Sequence, residues 1–117
     1  MILRFFRAIV HDGCQAEFQE FFLGTALPGV QSHVGLQSVS VGLPHKASPN
    51  EFSMVMVWKD LDALKEFAGE NWQQAVIHPE EAHLLKETYV YHYSLAAKAG
   101  IRQDDEEGRR QLLSSGL

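Results

Sequence analysis

The segment FSMVMVW at 52–58 constrains the fold more than any other stretch of the chain. It carries no charge and is rich in β-branched, aromatic and sulfur-containing side chains, which suit a pleated, buried surface. Alternation puts Phe52, Met54, Met56 and Trp58 on one face and Val55 and Val57 on the other. A strand that is apolar on both faces needs cover on both.

Three more segments read as strands. Residues 2–10 (ILRFFRAIV) alternate usably, with Arg4 and Arg7 on opposite faces. Residues 36–43 (LQSVSVGL) place Val39, Val41 and Leu43 opposite Ser38, Ser40 and Gly42. Residues 88–94 (TYVYHYS) put tyrosines 89, 91 and 93 on one face and Val90 and His92 on the other. Between strands the period lengthens. Cys14, Phe18, Phe21 and Phe22 form one stripe of an amphipathic helix, for which Asp12 is an available N-cap. Pro28-Gly29 either ends or bends that helix, and Val30 and Val34 suit a kinked continuation to about His33. Asp60 caps a second helix with Leu61, Leu64, Phe67 and Ala68 as its buried stripe and Gly69 as its stop. Residues 71–77 are ambiguous. Pro79 suits the first turn of a short helix over 79–86, with Glu80 and Glu81 near its positive end.

The order is β-α-β-β-α-β, the split βαβ or ferredoxin-like arrangement. It predicts an α+β fold with both helices on one face of a four-stranded antiparallel sheet. The other face, with three tyrosines and the second side of strand 52–58, would be a large apolar patch in a monomer. A homodimer packed sheet against sheet is therefore expected. Residues 1–94 make the domain. Residues 95–117 form a tail of helical composition but weak apolar content, suited to a loosely attached helix or an arm on a second subunit.

Composition narrows the function classes. A chain of 117 residues with 45% hydrophobic and 21% charged residues has an ordinary globular balance. Net charge is −5, and residues 1–94 hold six Lys/Arg against eleven Asp/Glu. An acidic body without a basic stripe offers little to a phosphate backbone or an anionic membrane, so neither nucleic acid nor membrane is an expected partner. Arg4 and Arg7 interrupt the first apolar run, which speaks against a secretory signal. The single cysteine, Cys14, supports no intrachain disulfide and no cysteine-rich zinc site. A cytoplasmic protein is expected.

The stretch FSMVMVWKDLDALKEFAG, the "VGL" sequence of the preceding strand and the continuation NWQQAVIHPEEAHLLKETYVYHYS resemble the antibiotic biosynthesis monooxygenase family. The resemblance covers about residues 1–94 and rests mostly on structural positions. It implies a dimeric α/β barrel. It also implies activities that include cofactor-free oxidation of aromatic polyketides, oxidative heme degradation and isomerisation of small signalling molecules. Heme-degrading members use an asparagine, a tryptophan and a histidine. Their positions fall here near Phe6 or Arg7, near Phe67 and near His78, so that only the histidine is kept.

Six histidines are many for this length. His78 and His83 are five positions apart, and an i, i+5 spacing does not place two imidazoles on one helical face for a metal. His83 is the candidate general base or orienting group, against the plainer reading of a histidine satisfied by a backbone carbonyl. His78 is a candidate pocket residue or a surface group. His92 reaches the pocket if its face lies under the helices and the dimer interface if it does not. His11, His33 and His45 fall in turns and are expected to face solvent. Trp58 reads as core. Trp72, in the irregular segment, is a candidate stacking wall for an aromatic substrate. Arg7 either pairs with an acid across the sheet or stabilises an enolate or carboxylate oxygen. Phe22 and Phe67 are core residues that can also wall a pocket.

The sequence has no flavin or nicotinamide fingerprint and no phosphate-binding glycine loop. An oxygenase without a prosthetic group is possible where the substrate itself is the reductant. The expected function is thus a cofactor-independent monooxygenase acting with O2 on an aromatic or enolisable small molecule. His83, Arg7 and Trp72 would be its catalytic residues, and Phe67, His78, His92 and Phe22 would bind the substrate. Two alternatives are a heme-binding or heme-degrading enzyme and a non-catalytic ligand-binding homodimer.

Overall fold

The computed structural model describes residues 1–97. The expected element order is present: β1 (Ile2–Val10), α1 (Gln15–Phe21), a π turn (Phe22–Ala26), α2 (Leu27–Gln31), β2 (Leu36–Gly42), β3 (Glu51–Trp58), α3 (Leu61–Ala68), a 3-10 turn (Ala82–Leu84) and β4 (Leu85–Ser94). The four strands form one antiparallel sheet in the order β2-β3-β1-β4, which makes the doubly apolar strand an interior one. This is the ferredoxin-like α+β fold. The tail expected over 95–117 lies outside the described residues from position 98 onward.

The register fixes which residues share a face. Arg4 pairs with Met56 and His92, and Phe6 with Met54 and Val90, so these side chains lie together on the helix side. There Phe6, Ala8, Val10, Phe52, Met54, Met56 and Trp58 are buried against Phe18, Phe22, Val30, Leu64 and Leu84. Phe18 is the hub. Its ring stacks on Phe22 at 5.2 Å and meets Phe52 at 4.8 Å, geometry that adds to the burial of three large apolar side chains. The opposite face carries Leu3, Phe5, Arg7, Val55 and the three tyrosines, with Tyr93 55% exposed. Among the described residues no second layer covers it.

Two local features differ from the sequence expectation, and a third, the helix at Pro28, takes the continued form that the sequence left open. Asp12 does not cap α1. Its carboxylate accepts from Asn50 Nδ2 at 2.6 Å, and Cys14 takes the N-cap position without a side-chain bond. The helix neither ends nor breaks at Pro28. A proline cannot donate to the carbonyl four residues earlier and its ring crowds that carbonyl. The chain answers with one wide turn, in which the Leu27 N–H bonds to Phe22 O, and then resumes α geometry to Gln31. The short helix expected over 79–86 is only a 3-10 turn at Ala82–Leu84, and β4, which begins at Leu85, takes the last two positions into the sheet. The α3 boundaries match: Ala63 N–H donates to Asp60 Oδ1 at 2.8 Å, and Gly69, at φ 81°, ends the helix.

Candidate active site

Between the helix side of the sheet and the helices lies a cavity of about 210 Å³. Phe6, Met54 and Met56 form its floor, Phe22, Ala26 and Val30 one wall, and Phe67 and Val76 another. The wall from the first helix includes the π turn. Widening the helix there is what sets Phe22, Thr25 and Ala26 along the cavity before the α spiral resumes. An engineered apolar cavity of about 150 Å³ takes benzene. The space here suits one aromatic ring with a substituent.

Two charged residues line this apolar space, Arg4 and Glu81, and they do not pair with each other. Arg4 is 1% exposed. Its Nη1 donates to Trp72 O at 2.5 Å and lies 2.9 Å from His92 Nε2, while Nη2 donates to Gln74 O at 2.9 Å. A guanidinium has donors only, so His92 Nε2 accepts, which puts the ring proton on Nδ1 and keeps the imidazole neutral. The guanidinium carbon lies 5.7 Å from the centre of the Phe67 ring. Arg4 Nε is buried, with no hydrogen-bond partner among the described residues. Burial lowers the arginine's pKa to about 10, still protonated at neutral pH. Among the described residues, no carboxylate neutralises this charge. His92 is itself held below its ordinary pKa, first by burial and then by the charge of Arg4.

Glu81 is 3% exposed. One of its oxygens, Oε2, accepts from the His78 backbone N–H at 3.2 Å, and no bond to Oε1 is found among the described residues. Burial pushes its pKa up, against the smaller opposing pull of the His78 bond. His78 also lines the cavity, with its ring edge-on to Phe21 at 5.6 Å. His33 lines it too. It was expected in solvent, but the end of α2 turns it inward between Trp58 and Phe67, with ring centres 6.0 and 5.3 Å away.

The residues singled out from sequence separate into three groups. Phe22, Phe67 and His78 line the cavity. Trp72 and His92 stand behind its cation: His92 lies on the helix side of β4, bonded to Arg4, and Trp72 packs edge-on against it at 4.9 Å. Arg7 and His83 lie elsewhere. Arg7 is on the uncovered sheet face in a bidentate pair with Glu51, at 2.8 and 2.9 Å, and lies over Tyr89. Of the two roles open to it, the structure shows the acid pairing across the sheet. His83 is exposed, its Nε2 3.4 Å from Glu17 on α1. The titratable residues of the cavity that the sequence reading passed over are Arg4, Glu81 and His33.

The heme alternative gains no support here: the space is small beside a porphyrin, and buried Arg4 and Glu81 line it. Among the described residues no group of three or more His, Cys, Asp or Glu side chains could hold a metal ion, and no helix is long and apolar enough to cross a membrane.

No family model and no curated protein matches the chain in sequence. Solved structures do match it in shape. A candidate antibiotic biosynthesis monooxygenase from Deinococcus radiodurans superposes with a TM-score of 0.69 at 15% identity, over 87% of this chain and 99% of that one. Another from Nitrosomonas europaea gives 0.65 at 14% identity, over 83% and 100%. A variant of SnoaB, a cofactor-independent oxygenase from Streptomyces nogalater, gives 0.61 at 22% identity, over 83% and 94%. The chain therefore has the fold of the antibiotic biosynthesis monooxygenases along nearly their whole length. At these identities the likeness establishes fold.

Proposed function

We propose that the protein is a cofactor-independent monooxygenase that oxidises a small, enolisable aromatic molecule in the cavity between sheet and helices, and that it works as a cytoplasmic homodimer. The observation that carries this is Glu81. A buried carboxyl with a raised pKa, held by one oxygen and facing an apolar, ring-sized cavity, is the arrangement a general base needs. The likeness to a cofactor-independent oxygenase agrees with it.

The chemistry balances without a prosthetic group. Ionised Glu81 takes a proton from an acidic C–H or O–H of the substrate. The resulting carbanion passes one electron to O2, and the radical pair combines into a peroxide. Loss of water then leaves a carbonyl. One oxygen atom enters the product, the other leaves as water, and all the electrons come from the substrate. The apolar walls supplied by Phe22, Phe67 and Met56 keep bulk water from quenching the carbanion. Trp72 and His92 act by holding Arg4 in place, and Glu81 rather than the exposed His83 takes the proton.

The test is oxygen uptake by metal-free protein with a panel of monocyclic hydroquinones and 1,3-diketones. Turnover by the unmodified chain, reduced by about 10²-fold or more in Glu81→Gln, supports the proposal, since that is the usual worth of a positioned base. Full activity in Glu81→Gln overturns the assignment. A hemin titration of the same protein should show no saturable Soret shift.

A further inference from the structure

We propose that Arg4 is an anion-recognition site and that the ligand of the cavity is an aromatic acid, with its carboxylate on the Arg4 guanidinium. The proposal rests on taking the cavity as the substrate site, but not on the reaction carried out there. Several observations converge on it. Arg4 is 1% exposed and lines the cavity. It is gripped from behind by two main-chain carbonyls and a neutral imidazole, all of which orient the guanidinium without cancelling its charge. Removing an ionised group from water without a counter-charge is costly, so buried arginines are normally found with a carboxylate. Arg7, on the other face of the same strand, has such a partner in Glu51. Arg4 has none among the described residues, although Glu81 lines the same cavity. Its Nε–H has no acceptor among the described residues. Nη2 gives one proton to Gln74 O and has a second to give.

A planar carboxylate offers two oxygens at the spacing of two adjacent guanidinium N–H groups, and such charge-assisted bonds are the strong ones. The remainder of the cavity is apolar, and Phe67 lies against the guanidinium. A single ring with a carboxylate fills both requirements. A neutral ring would leave Arg4 Nε unsatisfied.

The probes are benzoate and its uncharged isostere benzamide, titrated calorimetrically into the full chain at pH 7, with the arginine Nε–H resonances followed by NMR. The expected result is benzoate bound at least about tenfold tighter than benzamide, as befits a hydrogen bond to a charged group. The Arg4 Nε–H signal should move on adding benzoate. In Arg4→Met the preference should vanish. If that variant fails to fold, the wild-type selectivity and the Arg4 resonance decide alone. Equal affinity for the two probes, or benzoate binding that leaves the Arg4 signal unmoved, overturns the anion site while leaving the cavity a ligand site. Binding of neither probe overturns both.

Discussion

Arg4 and Arg7 are three positions apart on one strand and have opposite fates, because alternation sends one toward the helices and the other to the uncovered face. Arg7 keeps its charge by pairing, and the pair holds Glu51 below the usual carboxylate range. Glu81 shows the reverse effect. Burial favours its protonated form, so between the ordinary and the raised pKa the native state holds a proton that the unfolded chain has released. Stability therefore falls as pH rises through that window. Glu81→Gln removes the penalty. Its midpoint in urea should exceed that of the parent protein at pH 7 and match it near pH 4, and an equal difference at both values would show that Glu81 is not the group responsible. Turnover should respond in the opposite sense, rising with pH as Glu81 ionises. A pH-rate profile flat across that range would exclude Glu81 as the base. Arg4 was within reach of the sequence: it shares a face with Phe6, Ala8 and Val10, and a charge on the buried side of an apolar strand signals a site. Glu81 was not, because its segment has no period from which to tell inside from outside.

At the scale of elements, α3 closes the cavity with Phe67, which stacks on Trp58 at 5.0 Å. Its position depends on the Asp60 cap and on a close approach to the strand side at Gly35, where any Cβ would collide with that of Ala63. Asp60→Ala should lower stability by about 1 kcal/mol, the usual worth of an N-cap, with no change in the denaturant slope. Gly35→Ala should cost about 1–3 kcal/mol, as overpacking does, and should also widen the cavity by pushing α3 outward. Unchanged urea midpoints in both variants would contradict this account of α3. The strands and α3 were legible because their periods and caps are plain. The π turn was less so: sequence shows that Pro28 must disturb an α-helix, but not that the helix will absorb the disturbance by widening. The helix 79–86 failed for a different reason. Local proline and acidic signals favour it, but pairing of Leu85 with Val10 at the end of β1 starts β4 at Leu85 and takes the last turn of the expected helix into the sheet.

At the scale of the whole molecule, the described residues cover the sheet on one side only. Leu3, Phe5, Val55, Tyr91 and Tyr93 face away from the helices, around the Arg7–Glu51 pair. A patch of this kind is characteristic of an interface. Sedimentation at micromolar concentration should give twice 13.2 kDa, and Phe5→Asp should shift the protein toward monomer. A parent protein that sediments at 13.2 kDa would contradict the dimer.

Whether this cavity joins O2 to a substrate with no help but its own side chains is decided by ¹⁸O2. Metal-free protein is incubated with whichever hydroquinone or diketone supports oxygen uptake. One labelled atom is expected in the product and the other in water, without added flavin, heme or metal. Unlabelled product, or labelling that appears only when a cofactor is supplied, would contradict the proposed reaction.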